Sequence, residues 1–497
     1  MDETTSSVSE GAELPRHTFA SYARYAFIIM FGISFLNYLD RYVLSGAANA
    51  IAQDLNFDLG QVGIITSAFL VVYTLAALPI GVWADRTKRK NVVALCVTIW
   101  SVATAATALA TNFATLFISR MVLGIGEAGY FPAGTALLSD YFERAKRSRI
   151  MSWWSGAQMF GILGGFGLGG AIAGISTGSW RWAFVFTGIP GLLFAYLAWR
   201  IREPRRNQAD EEVWERGEQE TAIAQDGAEI FPLSVAGSVS EQRHSRHLLS
   251  QFLVWLRNLL SQFLVLLRIK TLVVLTIMQI FAFFVLGVNA FFLPIYLQQK
   301  DTFGMSSAFA GIYSGVVIVV AGFAGILLGG YLADAINRRH PGARVLVCGI
   351  GFLLGAPAFA LAVTYHDIVV FTVCFTLTVL LLMMYNGPSL AATQDITPSV
   401  LRASAVALSL FIAHLLGDAF SPSIVGLLAT AFDPTHGLHF KAGMAGLDLS
   451  NALLVTCTPA LGIAGLVGIV GSRWMASDVA AAERADRADR AAKEAAL

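Results

Sequence analysis

Charge is scarce in this chain: Asp, Glu, Lys and Arg make up 13% of its 497 residues, against ~25% in a soluble globular domain. With 56% hydrophobic residues and a mean hydropathy of +0.63, the shortage excludes an ordinary soluble protein and puts much of the chain in lipid. Cysteine is also rare. Cys96, Cys348, Cys374 and Cys457 are far apart and each falls in an apolar stretch, which excludes a disulfide framework and leaves no metal-binding spacing; no metal or other cofactor is expected. The net charge of +1 offers no argument for a nucleic-acid partner. Strand-like alternation is absent, so a β-barrel is excluded.

What the chain does contain is long apolar runs. Stretches such as 311–331 and 371–385 carry no charge at all. Twelve runs are long enough to cross a bilayer at ~20 residues each, starting near Ser21, Gly60, Asn91, Asn112, Ser148, Arg181, Thr271, Ser306, Gly342, Asp367, Ser399 and Ser450. The fold class expected is an all-α membrane protein of twelve transmembrane helices.

Lys and Arg cluster on one side of the spans. Arg86, Lys88, Arg89 and Lys90 form one cluster, Arg144, Lys146, Arg147 and Arg149 a second, Arg202, Arg205 and Arg206 a third, and Arg338, Arg339 and Arg344 a fourth. The opposite loops carry only Arg181, Lys300 and Lys441. The positive-inside rule therefore predicts a cytoplasmic tail 1–20, a six-helix bundle 21–201, a cytoplasmic central loop 202–270, a second bundle 271–474 and a cytoplasmic tail 475–497. The polar, acidic start predicts no cleavable signal peptide. A bacterial inner membrane and a monomer are expected.

The two halves echo each other. Gly81-Val82-Trp83-Ala84-Asp85 returns as Gly330-Tyr331-Leu332-Ala333-Asp334, and Asp140 with Arg147 returns as Asp395 with Arg402. Two matches at equivalent positions point to duplication of a six-helix unit, and hence to two pseudo-symmetric bundles with a site at the midplane between them. Asp85, Arg86, Arg89, Asp334, Arg338, Arg147 and Arg402, at helix ends on the basic side, are candidates for gating contacts. In the central loop, Ser250-Gln251-Phe252-Leu253-Val254 recurs eleven residues later from Ser261. That period predicts an amphipathic helix over 248–268 on the membrane surface.

Four charges violate the apolar rule. Arg120 and Glu127 lie seven residues apart on one helical face within 112–138, and Asp40 and Arg41 lie deep in the first span. A bare charge at the bilayer centre costs at least ~2.5–3.5 kcal/mol, so these residues read as a functional site. Asn37 shares a face with Asp40, whereas Arg41 points ~100° away and is free to brace a neighbouring helix. The set is formally neutral. Protonating Asp40 or Glu127 would release an arginine, whose planar donors suit an anionic phosphate; the alternative is a static ion-pair network.

These motifs resemble the major facilitator superfamily. Gly81-x-x-x-Asp85-Arg86-x-x-Arg89-Lys90 is similar to its cytoplasmic signature, and Arg120-x-x-x-Gly124-x-Gly126-Glu127 to a motif whose arginine is linked to proton transfer. Asn37-Tyr38-Leu39-Asp40-Arg41, Gly124-Ile125-Gly126-Glu127-Ala128 and the segment from His414 through Asp418 to Pro422 look like its spinster branch. That resemblance implies export of lysolipids or sphingosine phosphate. Gly161-x-x-x-Gly165-Phe166-x-x-Gly169-Gly170 is similar to an antiporter motif, with Phe166 in place of its proline, which removes the usual bend.

The expectation is a proton-coupled transporter working by alternating access on an amphipathic lipid. Asp40 and Glu127 are the proton-site candidates. Arg41, Arg120, Asn37, Tyr38, Gln158, Asn289, Asn386, His414 and Asp418 are the substrate-binding candidates, with Tyr73, Gln279 and Tyr385 as further cavity residues. Because the second half has no equivalents of Asp40 and Glu127, the apolar part of the ligand is expected there. A carrier of small organic anions or drugs, or a lipid sensor without flux, would use the same charges. An enzyme is not expected, since no activated Ser or Cys accompanies His414 and Asp418.

Overall fold

The computed structural model describes residues 16–206, 208–209, 266–337, 339–340, 342–398, 401–435 and 438–495. Among these every regular element is helical. The first half contains α1 (Arg16–Leu55), α2 (Leu59–Arg86), α3 (Arg89–Thr107), α4 (Phe113–Ala128), α5 (Tyr130–Tyr141), α6 (Arg144–Ala173) and α7 (Trp180–Arg200). The second contains α8 (Lys270–Gln298), α9 (Ser307–Asn337), α10 (Ala343–Thr364), α11 (Ile368–Met383), α12 (Asn386–Asp395), α13 (Arg402–Ala413), α14 (Ser421–Phe432), α15 (Leu438–Ala442) and α16 (Gly446–Gly471), followed by the tail helix α17 (Met475–Ala495). Of the predicted surface helix 248–268, only 266–268 fall within the described residues.

Among the described residues eleven helical stretches are long and apolar enough to cross a membrane, three of them joining α11 with α12, α13 with α14 and α16 with α17. The twelfth crossing is the fourth span, divided into α4 and α5 at Gly129, where a Cβ would come within 2.2 Å of Ile80 and 2.8 Å of Cys96 Sγ. The equivalent span of the second half breaks at the matching place, between α11 and α12. Helix starts follow local chemistry. Asp58 and Gln61 form a reciprocal capping box at α2, as do Asn112 and Thr115 at α4. The sixth element, α6, runs unbroken through Phe166, in keeping with the absent proline.

Helices α1 and α6 pack closely, with Gly161, Gly165 and Gly169 against the backbone carbonyls of Phe35, Leu39 and Val43. Both ends of the described chain lie on one face, here the terminal face. Hydrogen bonds joining the halves lie toward the opposite face: Asn49 to Gln298 at 3.2 Å, Gln299 to Asn49 at 3.4 Å, Gly60 N–H to Thr430 Oγ1 at 3.0 Å and Ser423 N–H to Ser67 Oγ at 3.1 Å. The buried core divides accordingly. One apolar body, including Val43, Leu59, Phe292 and Val425, is continuous across both halves near the opposite face. A second, including Met30, Val93, Leu137 and Trp154, stays within the first half toward the terminal face. Among the described residues the halves thus close at the opposite face and part toward the terminal one.

Candidate functional site

Between the halves lies a cavity of about 370 Å³. Its first-half wall includes Tyr38, Arg41, Tyr42, Thr66, Phe69 and Arg120; its second-half wall includes Phe283, Phe291, Phe359, Phe375, Val379, Leu382 and Met383. The division is chemical. Both guanidiniums line one side, and the facing side is mostly aromatic and aliphatic.

Arg41 projects from α1 to Glu127 on α4, with Nη2 at 2.6 Å and Nε at 3.2 Å from the same oxygen, Oε2. Its guanidinium also lies 4.8 Å from the ring of Tyr73, 5.1 Å from Phe69 and 5.2 Å from Tyr38, in cation–π range. The Glu127 side chain is fully buried while that of Arg41 is 21% exposed. Glu127 Oε1 and Asn37 Nδ2 are both buried, with the Asn37 side chain beside the carboxylate. The expected neighbour on the same helical face, Arg120, donates instead to Thr107 Oγ1 at 2.9 Å and stacks 4.9 Å from Phe184.

Asp40 is fully buried on the other side of α1, where its Oδ2 accepts from Thr104 Oγ1 at 3.4 Å and the Thr187 side chain stands beside the carboxylate. Neither Asp40, Glu127 nor Asn37 forms part of the cavity wall. Glu127 therefore stands behind Arg41, whereas Asp40 lies on the far side of α1 against Thr104. Such an arrangement allows a headgroup to meet positive charge while a proton on the hidden acid changes how firmly that charge is held.

In the second half, His414 Nδ1 and Asp418 Oδ2 lie 2.9 Å apart within a single π-helical turn, His414–Asp418, inserted between α13 and α14. A π-turn adds one residue to the helical repeat and turns side chains that would face elsewhere. Both residues line the cavity, and the imidazole meets the ring of Phe283 edge-on at 4.5 Å. Asn289 and Asn386 also line it, each bonded to its own helix through Val285 O at 2.7 Å and Met383 O at 3.3 Å. Gln158 is buried in α6 outside the cavity wall. Tyr42, absent from the candidates, lines the cavity and stacks on Tyr38; its only signal in sequence was the four-residue spacing on one helix.

At the terminal face Arg89 is paired with Asp140, and Arg344 with Asp395; the partners in each pair are 51 residues apart. Arg344 also reaches Asp334 at 3.4 Å. Arg344 was not among the gating candidates, yet it is 255 positions after Arg89, as Asp395 is after Asp140. Arg147 donates to the carbonyl of Ser139 at 2.7 Å, and Arg402 to that of Thr397 at 3.3 Å. Arg86 is exposed at the end of α2. The side chains of Asp85 and Arg338 lie outside the described residues.

The model for the family described as Major Facilitator Superfamily matches residues 30–422. Protein spinster homolog 1 of Xenopus laevis is 25% identical over 95% of this chain and 83% of its own length. A sphingosine-1-phosphate transporter of Danio rerio is 26% identical over 82% and 76%. The crystal structure of a bacterial homolog to the human lysosomal transporter spinster, inward-facing and unoccupied, superposes with a TM-score of 0.74 at 24% identity, covering 92% of this chain and 98% of that one.

Proposed function

Since the chain belongs to the Major Facilitator Superfamily, we propose that it is a secondary transporter that uses the proton gradient to move an amphipathic lipid, such as a lysophospholipid or sphingosine phosphate. The observation that carries this reading is the two-sided cavity, with Arg41 and Arg120 on one wall and Phe283, Phe359 and Phe375 on the other. An anionic headgroup would lie against the guanidiniums and an acyl chain against the rings. Similarity to spinster proteins and to a sphingosine-1-phosphate transporter supports the same substrate class.

Glu127 and Asp40 are the proton sites in this scheme. With Glu127 ionised, Arg41 is tied to it; a proton on Glu127 weakens that bond and frees Arg41 for the ligand. Asp40 acts on Arg120, which lies beyond ion-pair distance but within electrostatic reach of both carboxylates. Lys and Arg placement supports a cytoplasmic terminal face in an inner membrane. The described state, parted toward that face, is then the inward-facing arm of alternating access.

Proteoliposome uptake of a labelled lysophospholipid under an imposed pH gradient tests the reading. The gradient should accelerate flux in the wild type, and Glu127→Gln and Asp40→Asn should each lose that acceleration. Gradient-driven flux unchanged in both variants would overturn the proton assignment, and gradient-driven uptake of small organic anions but not of lysolipid would overturn the substrate.

A further inference from the structure

We propose a divalent cation site, of the zinc class, formed by Asp433, His439 and Asp448 where the second half's last two spans meet at the opposite face. The three residues come from separate pieces of chain: Asp433 follows α14, His439 lies on α15, and Asp448 is in the first turn of α16. Their ligand atoms all lie within 4.8 Å of one another. His439 Nδ1 is 3.3 Å from Asp433 Oδ1 and 3.0 Å from Asp448 Oδ2. A tetrahedral zinc with bonds of ~2.0–2.1 Å places its ligand atoms ~3.3 Å apart, so two edges of that polyhedron already exist.

Two nearly buried carboxylates, Asp433 and Asp448 at 3% and 7% exposure, meet one imidazole here, and a cation would add to the hydrogen bonds that Asp433 already accepts from Thr435 and from His439 N–H at 3.3 Å. Asp301, the next acid, is already engaged by the backbone N–H groups of Gly446 at 3.0 Å and Leu447 at 2.9 Å. The carboxylate of Asp433 is oriented by Thr435, whose N–H and hydroxyl donate to Oδ1 at 2.7 and 2.5 Å, the kind of support that fixes a metal ligand. The half-exposed His439 leaves a route from solvent and one coordination position for water. A nitrogen and two carboxylate oxygens suit zinc better than calcium or magnesium, which prefer all-oxygen sets.

The location links such an ion to the closed face. In the same loop, Ala445 N–H donates to Gln299 Oε1, and Gln299 Nε2 donates to Asn49 of the other half. A cation clipping the loop would hold Gln299 in place for that contact.

The full chain in detergent micelles, titrated with Zn²⁺ against a chromophoric chelator, should bind one ion. His439→Gln, at a half-exposed position that keeps the fold intact, should lower the affinity by at least ~10-fold, since losing even an outer-shell partner costs ~10–100-fold. Co²⁺ substitution should give the intense visible absorption of a tetrahedral site in the wild type and lose it in His439→Gln. Equal Zn²⁺ affinity in wild type and variant, or no saturable binding in the wild type, would overturn the site and leave a protonated histidine clamping two aspartates.

Discussion

Arg41 and Glu127 are joined across two helices by a pair of hydrogen bonds that end on one carboxylate oxygen, while the second oxygen is buried with the Asn37 side chain beside the carboxylate. The pair is asymmetric. The acid is sealed in protein, and the base faces the cavity.

That asymmetry predicts opposite effects of two neutral substitutions on binding of a short-chain lysophosphate. Glu127→Gln should bind it at least as tightly as the wild type, because Arg41 no longer has an ionic competitor. Arg41→Ala should bind it ~10–100-fold more weakly, the ~1.5–3 kcal/mol of a hydrogen bond to a charged group. Equilibrium binding followed by tryptophan fluorescence checks both.

Closure of the opposite face depends on close backbone approach at Gly63. A Cβ there would come within 2.2 Å of the carbonyl oxygen of Pro422, a backbone atom that cannot swing aside. Gly63→Val should keep the halves apart at this face, and spin labels placed at positions 56 and 434 should report a longer distance than in the wild type.

Asn49 tests the same face without steric conflict. Its amide exchanges hydrogen bonds with Gln298 and Gln299 of the other half. Asn49→Ala should shift the equilibrium away from the described state by about 1 kcal/mol, roughly 5-fold. The same spin-label pair should show a larger population of the long distance, with the two distances themselves unchanged.

The duplicated terminal-face pairs should not be equal in stability. Arg89 and Asp140 have side chains 14% and 5% exposed, against 19% and 41% for Arg344 and Asp395. Breaking a buried pair costs ~3–5 kcal/mol, and an exposed one ~0–1. Arg89→Gln should therefore lower the thermal midpoint of the purified protein clearly more than Arg344→Gln; equal shifts would contradict this.

Much of the architecture was readable because lipid enforces a simple rule, about twenty apolar residues per crossing with charge confined to the ends. The division of the fourth span was not, because membrane helices tolerate glycine and Gly129 looks like many others. Arg120 and Glu127 share a face in sequence, yet the partner of Glu127 is Arg41. Which guanidinium arrives first depends on how α1 crosses α4, and helical spacing carries no information on that crossing. His414 and Asp418 stand four residues apart, a spacing at which helical side chains meet, but the π-turn that holds them has no signature in the sequence. Asp433, His439 and Asp448 have no recognisable spacing and meet only because a loop folds back.

By itself, then, the sequence determined the solvent, the number of crossings, the duplication and the identity of the charges that lipid would penalise, since each follows from composition and period along one chain. The tertiary structure alone decided that the two arginines line the cavity with Glu127 behind Arg41, and at which face the halves meet. Those outcomes depend on distances between helices far apart in sequence, where packing chooses among side chains that the sequence presents as equals.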